Sequence, residues 1–252
     1  MTAPIGLQLY SLREAFAEDF DGTIRQVAEI GYVGIEPWGG LMTDIAAKKK
    51  VYDDLGLTVP SVHYQLPVGE HKNKVLDDVA QLGCQHVILP FINPELFTSE
   101  DGLKTVADIL NEANEVGQAN GLTIHYHNHD FEYGDLNGRP AIYSLMEKVD
   151  PAVKFELDTY WIKVAGVDPA KVVAEMGGRS PLLHIKDGPA HNRQDDMTAL
   201  GTGAMDIPAL ITAGGAHTQW VFVELDRCAT DMMTAVRESY AYMTSNGLAQ
   251  GR

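Results

Sequence analysis

One stretch of the chain combines residue type and spacing in a way that points to chemistry: His125-Tyr-His-Asn-His-Asp-Phe-Glu132. It follows Gly121-Leu-Thr-Ile124, which reads as the start of a buried strand. Alternate side chains of a strand share a face. His125, His127 and His129 therefore point the same way, into the fold. Three imidazoles with carboxylates nearby are costly to bury without a partner. A divalent metal is a natural partner, because neutral imidazole is a common metal ligand. Three later runs repeat the theme: Phe155-Glu-Leu-Asp158, Pro181-Leu-Leu-His184 and Trp220-Val-Phe-Val-Glu224. Each is short and β-prone, and each ends in a metal-capable residue. Helix-length intervals separate them.

The elements that must position these residues alternate from end to end. Strands are expected at 5–11, 34–37, 58–63, 86–90, 123–129, 153–158, 181–186 and 220–224. Helical spacing falls between them, at 21–30, 41–55, 71–82, 99–120, 141–149, 168–176, 207–213 and 229–246. Asp21 is a plausible N-cap of the first helix. Gly31, Gly56, Gly83 and Gly121 stop the first four. Strict alternation implies a parallel sheet with helical crossovers. Eight such units are the number that closes a barrel, so the expected fold is α/β, a single (β/α)8 TIM barrel spanning residues 1–252. The competing fold, an open doubly wound sheet, usually carries a glycine-rich phosphate turn after its first strand. Here that position reads Gln8-Leu-Tyr-Ser-Leu-Arg13, with no such turn.

A barrel places its active site at the C-terminal ends of the strands. Those ends carry Gln8, Tyr10, Glu36, Trp38, His63, Pro90, the histidine cluster, Asp158, His184, Lys186, Glu224 and Arg227. Polar groups gathered at one mouth each cost burial energy unless paired or used. Lys186 follows His184 by two and shares its inward face, which suits a substrate or oxyanion contact. His125, His129 and Glu36 are candidate acids or bases. His63, Glu132 and Arg227 are candidate substrate contacts, and Trp38 and Trp161 candidate apolar walls against a substrate. Gly201-Thr-Gly203 offers backbone N–H groups to a phosphate, although such a run is more often a plain turn. His71, His86, His191 and His217 carry no expected role.

At these residues the chain resembles the xylose-isomerase-like barrels of the sugar phosphate isomerase/epimerase group. The resemblance covers essentially the whole chain. It rests on Gly34-Ile-Glu-Pro-Trp38, Tyr126-His-Asn-His-Asp-Phe-Glu-Tyr133, Glu156-Leu-Asp-Thr-Tyr-Trp161, His184-Ile-Lys-Asp187, Leu200-Gly-Thr-Gly203 and Phe222-Val-Glu224. It implies one divalent metal held by a residue from each of strands five to eight, ordinarily Glu, Asp, His and Glu. Carried over by position, the last three are Asp158, His184 and Glu224. Strand five departs from the pattern. It has no Glu, and His127 stands at that position, with His125 as its rival. Two histidines with two carboxylates suit Mn, Co, Fe or Zn better than Mg, which prefers oxygen. The implied activity is proton abstraction α to a carbonyl of a sugar or sugar phosphate, through a metal-stabilised enediolate, ending in isomerisation or epimerisation. Dehydration or lyase chemistry on keto-sugars, inososes or 3-keto-glycosides is the alternative. An endonuclease-IV-like phosphodiesterase is a remote one.

Composition narrows the partners. A net charge of −16 and a pI near 4.8 argue against nucleic acid and against anionic membranes, both of which select for Lys and Arg. The expected partner is a small carbohydrate, and a homo-oligomer is compatible with the chain. Cys84 and Cys228 are too few for a disulfide framework and read as reduced thiols. The N-terminal segment lacks the pattern of a secretory signal, so a cytoplasmic location is the expectation.

Overall fold

The computed structural model describes residues 2–252. Among them, eight strands form one parallel sheet: β1 (Ile5–Gln8), β2 (Gly34–Glu36), β3 (Ser61–His63), β4 (His86–Leu89), β5 (Thr123–His127), β6 (Lys154–Asp158), β7 (Leu182–Ile185) and β8 (Trp220–Val223). Their order is β2-β1-β8-β7-β6-β5-β4-β3. The ring is brought together at the β2–β3 seam by single backbone bonds. Ile35 N–H donates to Thr58 O (2.9 Å), and His63 N–H donates to Pro37 O (2.9 Å). The result is a nearly closed α/β TIM barrel with helices packed around it, as the alternation of elements predicts. No described helix is long and apolar enough to cross a membrane.

The helices start and stop where their caps dictate. Asp19, rather than Asp21, caps Phe20–Ile30 by accepting from Gly22 N–H, and Gly31 ends that helix at φ 118°. Ser99 caps the twenty-residue helix Glu100–Ala119. Asp168, Asp206 and Asp231 do the same for later helices. Three elements lie outside the alternating pattern. They are the helices Arg13–Glu18 and Thr159–Val164 and a small hairpin of Asp135–Leu136 with Arg139–Pro140.

Several strands end earlier than their apolar runs suggest, because side chains take over the backbone pairing. Gln8 Oε1 accepts from Tyr10 N–H (3.0 Å), and the chain leaves β1 as a 3-10 turn, Leu9–Leu12. Asn128 Oδ1 accepts from Asp158 N–H (3.1 Å), and its amide donates to Asp158 O (3.2 Å). This side-chain mimic of a ladder ends β5 at His127 while tying it to β6.

The floor of the barrel is apolar. Ile88, Leu182 and Phe222 form a buried cluster inside the ring, with Trp220 against it. Gly6 and Gly34 pair across β1 and β2. A Cβ at either would collide with the Phe222 or the Trp220 ring respectively. Small residues on two strands thus make room for large ones on β8 in the barrel interior.

Candidate active site

Above that floor the interior turns ionic, in two tiers. The lower tier is built on Glu36 and Glu156, both wholly buried. Glu36 Oε1 accepts from Gln8 Nε2 (2.8 Å) and faces His184 Nε2 (2.8 Å), while its other oxygen accepts from Ser61 Oγ. Glu156 Oε2 lies 2.5 Å from His63 Nε2, 3.0 Å from His127 Nδ1 and 3.2 Å from His184 Nε2. One carboxylate oxygen therefore gathers three imidazoles.

The upper tier holds the other ring nitrogens of two of those histidines. His127 Nε2 lies 3.7 Å from Asp158 Oδ2, and His184 Nδ1 lies 2.7 Å from Glu224 Oε2. Ligand atoms of His127, Asp158, His184 and Glu224 all lie within 4.8 Å of one another. Asp158 Oδ1 is occupied as a helix cap, accepting from the N–H groups of Tyr160 and Trp161. That leaves Oδ2 facing the cluster, buried, with the Lys186 ammonium 2.9 Å away as its partner. Each histidine is pinned from below by a carboxylate and presents its other nitrogen upward toward Asp158 or Glu224, the arrangement that orients ligand histidines in metal sites. These donors fit one divalent ion. A second grouping, His63, His127, Glu156 and His184, is also close enough for an ion. It uses the nitrogens that the lower carboxylates already engage.

A cavity of about 320 Å³ opens above the upper tier. His63, His127, His129, Lys186 and Glu224 supply its polar wall, and Tyr10, Trp38 and Phe91 its aromatic rim. Tyr10 and Phe91 are the large apolar side chains most exposed to solvent, at 37% and 53%. A larger hollow of about 560 Å³ lies beside Arg13 and Arg227. It contains none of the buried ligand groups, so the smaller cavity is the relevant one.

The titration behaviour follows from burial and neighbours. Desolvation pushes Asp158 up to about 6, against the pull of Lys186. Desolvation brings His129 down to about 4, helped by the Lys186 charge, which keeps it neutral at ordinary pH. His127 is also held well below the usual histidine range by desolvation. For His63 and His184 desolvation acts downward but is outweighed. Glu36 and Glu156 raise His63, and Glu156 and Glu224 raise His184. Lys186, 1% exposed, is likewise desolvated, yet three carboxylates hold it charged. Its ammonium lies 2.9 Å from Asp158 Oδ2, 2.8 Å from Glu224 Oε2 and 2.6 Å from Asp226 Oδ2.

Several residues expected at the mouth stand elsewhere. His125 shares a face with His127 but lies one tier lower, where its Nε2 meets His86 Nδ1 at 2.9 Å, away from the cavity. His86, given no role from sequence, is thus its partner. Glu36 is beneath the cavity rather than on it. Glu132 is buried behind β5. It accepts from Tyr126 O–H (2.6 Å) and His129 N–H (2.8 Å), so it holds His129 and does not face substrate. Trp161 is buried, with its ring 5.4 Å below the Lys186 ammonium. Arg227 is exposed and lines the other hollow. The Gly201-Thr-Gly203 amides are taken. Asp187 accepts from Gly188, Gly201, Gly203 and Met205 N–H, so a side chain fills the cradle that a phosphate would need. Glu156 and Asp226 were missed. Period two from Asp158 places Glu156 inward and was the available signal; Asp226 lies past β8, where no periodicity reaches.

The comparisons with known proteins agree with this geometry. Residues 24–226 match the family model described as xylose isomerase-like TIM barrel, and the chain belongs to that family. Its fold is similar to a sugar phosphate isomerase/epimerase from Parabacteroides distasonis, at 25% identity and TM-score 0.84, over 99% of this chain and 96% of that one. It is similar to a probable 3-DHS dehydratase from Bacillus anthracis, at 13% identity and TM-score 0.76, over 96% and 98%. It is also similar to a D-allulose 3-epimerase from a Methylomonas species, at 15% identity and TM-score 0.71, over 97% and 98%. No curated protein matches the chain.

Proposed function

We propose that this member of the xylose isomerase-like TIM barrel family is a divalent-metal-dependent isomerase or epimerase acting on a sugar or sugar phosphate. The observation that carries the reading is the upper tier: four buried ligand atoms converging beneath a cavity of sugar-accommodating size. His127, Asp158, His184 and Glu224 would hold the ion, with Mn, Co, Fe or Zn suiting the two-nitrogen, two-oxygen set better than Mg. Bound there, the ion would supply positive charge to the oxygen of a carbonyl whose α-carbon is losing a proton.

The chain's own residues do the rest. His129 lines the cavity and is neutral, so it can accept the α-proton at a ring nitrogen. This role falls to His129 and not to His125, which lies beneath. Lys186 donates to substrate oxygens from the cavity wall. His63, whose pKa Glu36 and Glu156 raise above the usual histidine range, is the candidate acid that returns a proton. Trp38, Tyr10 and Phe91 shield the apolar face of the ring. Glu36, Glu156 and Glu132 act as positioning residues.

Elimination is the second reading. It is favoured by β5 ending in His127 where a second carboxylate would serve two-faced proton exchange. One base and one acid suffice to remove a proton and expel a β-hydroxyl. The test is incubation of the metal-loaded protein with a panel of keto-sugars in D₂O, followed by NMR. Deuterium beside the carbonyl with the substrate skeleton retained supports isomerisation or epimerisation, and loss of water from it supports elimination. Turnover without exchange or elimination would remove both readings.

A further inference from the structure

Lys186 has a second feature that proton transfer does not use. Its ammonium has three N–H groups, and three carboxylate oxygens surround it: Asp158 Oδ2, Glu224 Oε2 and Asp226 Oδ2. The first two belong to residues of the four-ligand cluster. The third does not. Asp226 sits on the cavity wall with its side chain 27% exposed. An ammonium has no lone pair and cannot join a ligand set. It competes with another cation for the same oxygens, because two cations sharing them repel strongly in a buried site.

We propose that Lys186 is the built-in counter-cation of the metal-free protein, and that a divalent ion entering the cluster displaces its ammonium from Asp158 and Glu224 toward Asp226 and the cavity. This rests on the metal reading above. It is an exchange of ion pairs in which no covalent bond changes. Asp226 is the group that makes it workable. It already accepts the shortest of the three contacts, and it keeps the ammonium paired after the other two are lost. The exchange couples two events. The lysine becomes a cavity group able to meet a substrate oxygen only once the metal is in place, and without metal the two buried carboxylates are never left uncompensated.

The test uses the full-length protein stripped of metal, with Mn²⁺ as the probe. Calorimetry measures Mn²⁺ affinity, and an amine-acylating reagent with peptide mass spectrometry measures the reactivity of Lys186. Displacement predicts that acylation of Lys186 rises at least about tenfold as Mn²⁺ saturates, while exposed Lys74 does not change. It also predicts that Lys186→Met binds Mn²⁺ about tenfold or more tightly than the parent protein. The acylation experiment needs no variant, so it stands even where Lys186→Met fails to fold. Mn²⁺ binding that Asp158→Asn abolishes, with Lys186 equally unreactive in both states or Lys186→Met no tighter, would overturn displacement and leave the metal reading intact. No Mn²⁺ binding, or binding indifferent to Asp158→Asn, would overturn both.

Discussion

The same strands build opposite chemistries at their two ends. Along β7, Leu182 joins the apolar floor and His184 the ionic tiers. Along β8, Phe222 lies in the floor and Glu224 in the upper tier. Two residues of rise, roughly 7 Å, separate a dry packed layer from a cage of charges. The floor gains stability from burial, and its glycines are shaped around its aromatics. The two tiers hold four buried carboxylates against three histidines and a lysine, an arrangement that costs desolvation at every member. A barrel under selection for stability alone would continue the floor upward. The contrast teaches that the floor carries the cost of the ionic tiers, the pattern expected if, as proposed, those tiers hold a metal.

If so, the two ends should fail differently. The largest effect should come from Asp158→Asn at the mouth. Elemental analysis should show the metal stoichiometry falling from about one to near zero, and turnover of any keto-sugar substrate should fall by about 10³-fold or more. With both proteins stripped of metal, the melting temperature should hardly move, because Lys186 keeps Glu224 and Asp226. A melting temperature that drops as far as that of a floor variant would break the comparison.

Phe222→Ala is the converse. It removes a ring from the centre of the floor, opposite Gly6, where no side chain can close the gap. Chemical denaturation should show a loss of about 3–5 kcal/mol. The folded fraction should retain its metal. Metal loss in step with stability would mean that the two ends are one cooperative unit.

Glu156→Gln tests the layer between them. It keeps the shape but takes the charge from an oxygen that three imidazoles share. The ligand histidines would lose the partner that sets their tautomers, and metal affinity should fall by about 10- to 100-fold. Calorimetry reads this directly. Unchanged affinity would leave Glu156 a purely structural neutraliser of His63.

How much of this was legible in the sequence follows from the physics of a strand. Period two, helix-length spacing and the Asp and Gly boundaries of the helices carry the barrel, because they are local signals. The same parity brings His127, Asp158, His184, Glu224 and Lys186 to one face. Parity gives the face and not the depth, however. His125 and His127 read alike, yet one tier separates a partner of His86 from a wall of the cavity. Beyond a strand's end even the face is lost. Glu132 folds back behind β5, and Arg227 turns to a different hollow. The Gly201-Thr-Gly203 run is the plain turn that such runs more often form, but nothing in the local sequence announces that Asp187, fourteen residues upstream of Gly201, will fill it.

The smallest predicted effect concerns Glu132, which belongs to neither end. Desolvation raises its carboxyl to about 8, although Tyr126 O–H and the His129 N–H both favour the charged form. The folded protein therefore keeps a proton that the unfolded chain releases near pH ~4.3. Between those values the folded state binds more protons, so this group's contribution to stability is fully present below the unfolded value. It is lost as pH rises through about 8. The measurable slope should be modest, about 1 kcal/mol across that interval, because the loop around Phe131–Tyr133 can open before the barrel does. Glu132→Gln has an oxygen for the His129 N–H and an amide that Tyr126 can accept from. Urea melts at a series of pH values should show the slope flattened in this variant, with stability above pH ~8 equal to or greater than that of the parent. A slope identical in the two proteins would assign the pH dependence to the ionic tiers instead. It would also leave Glu132 ionised in the fold, held by its two donors against the cost of burial.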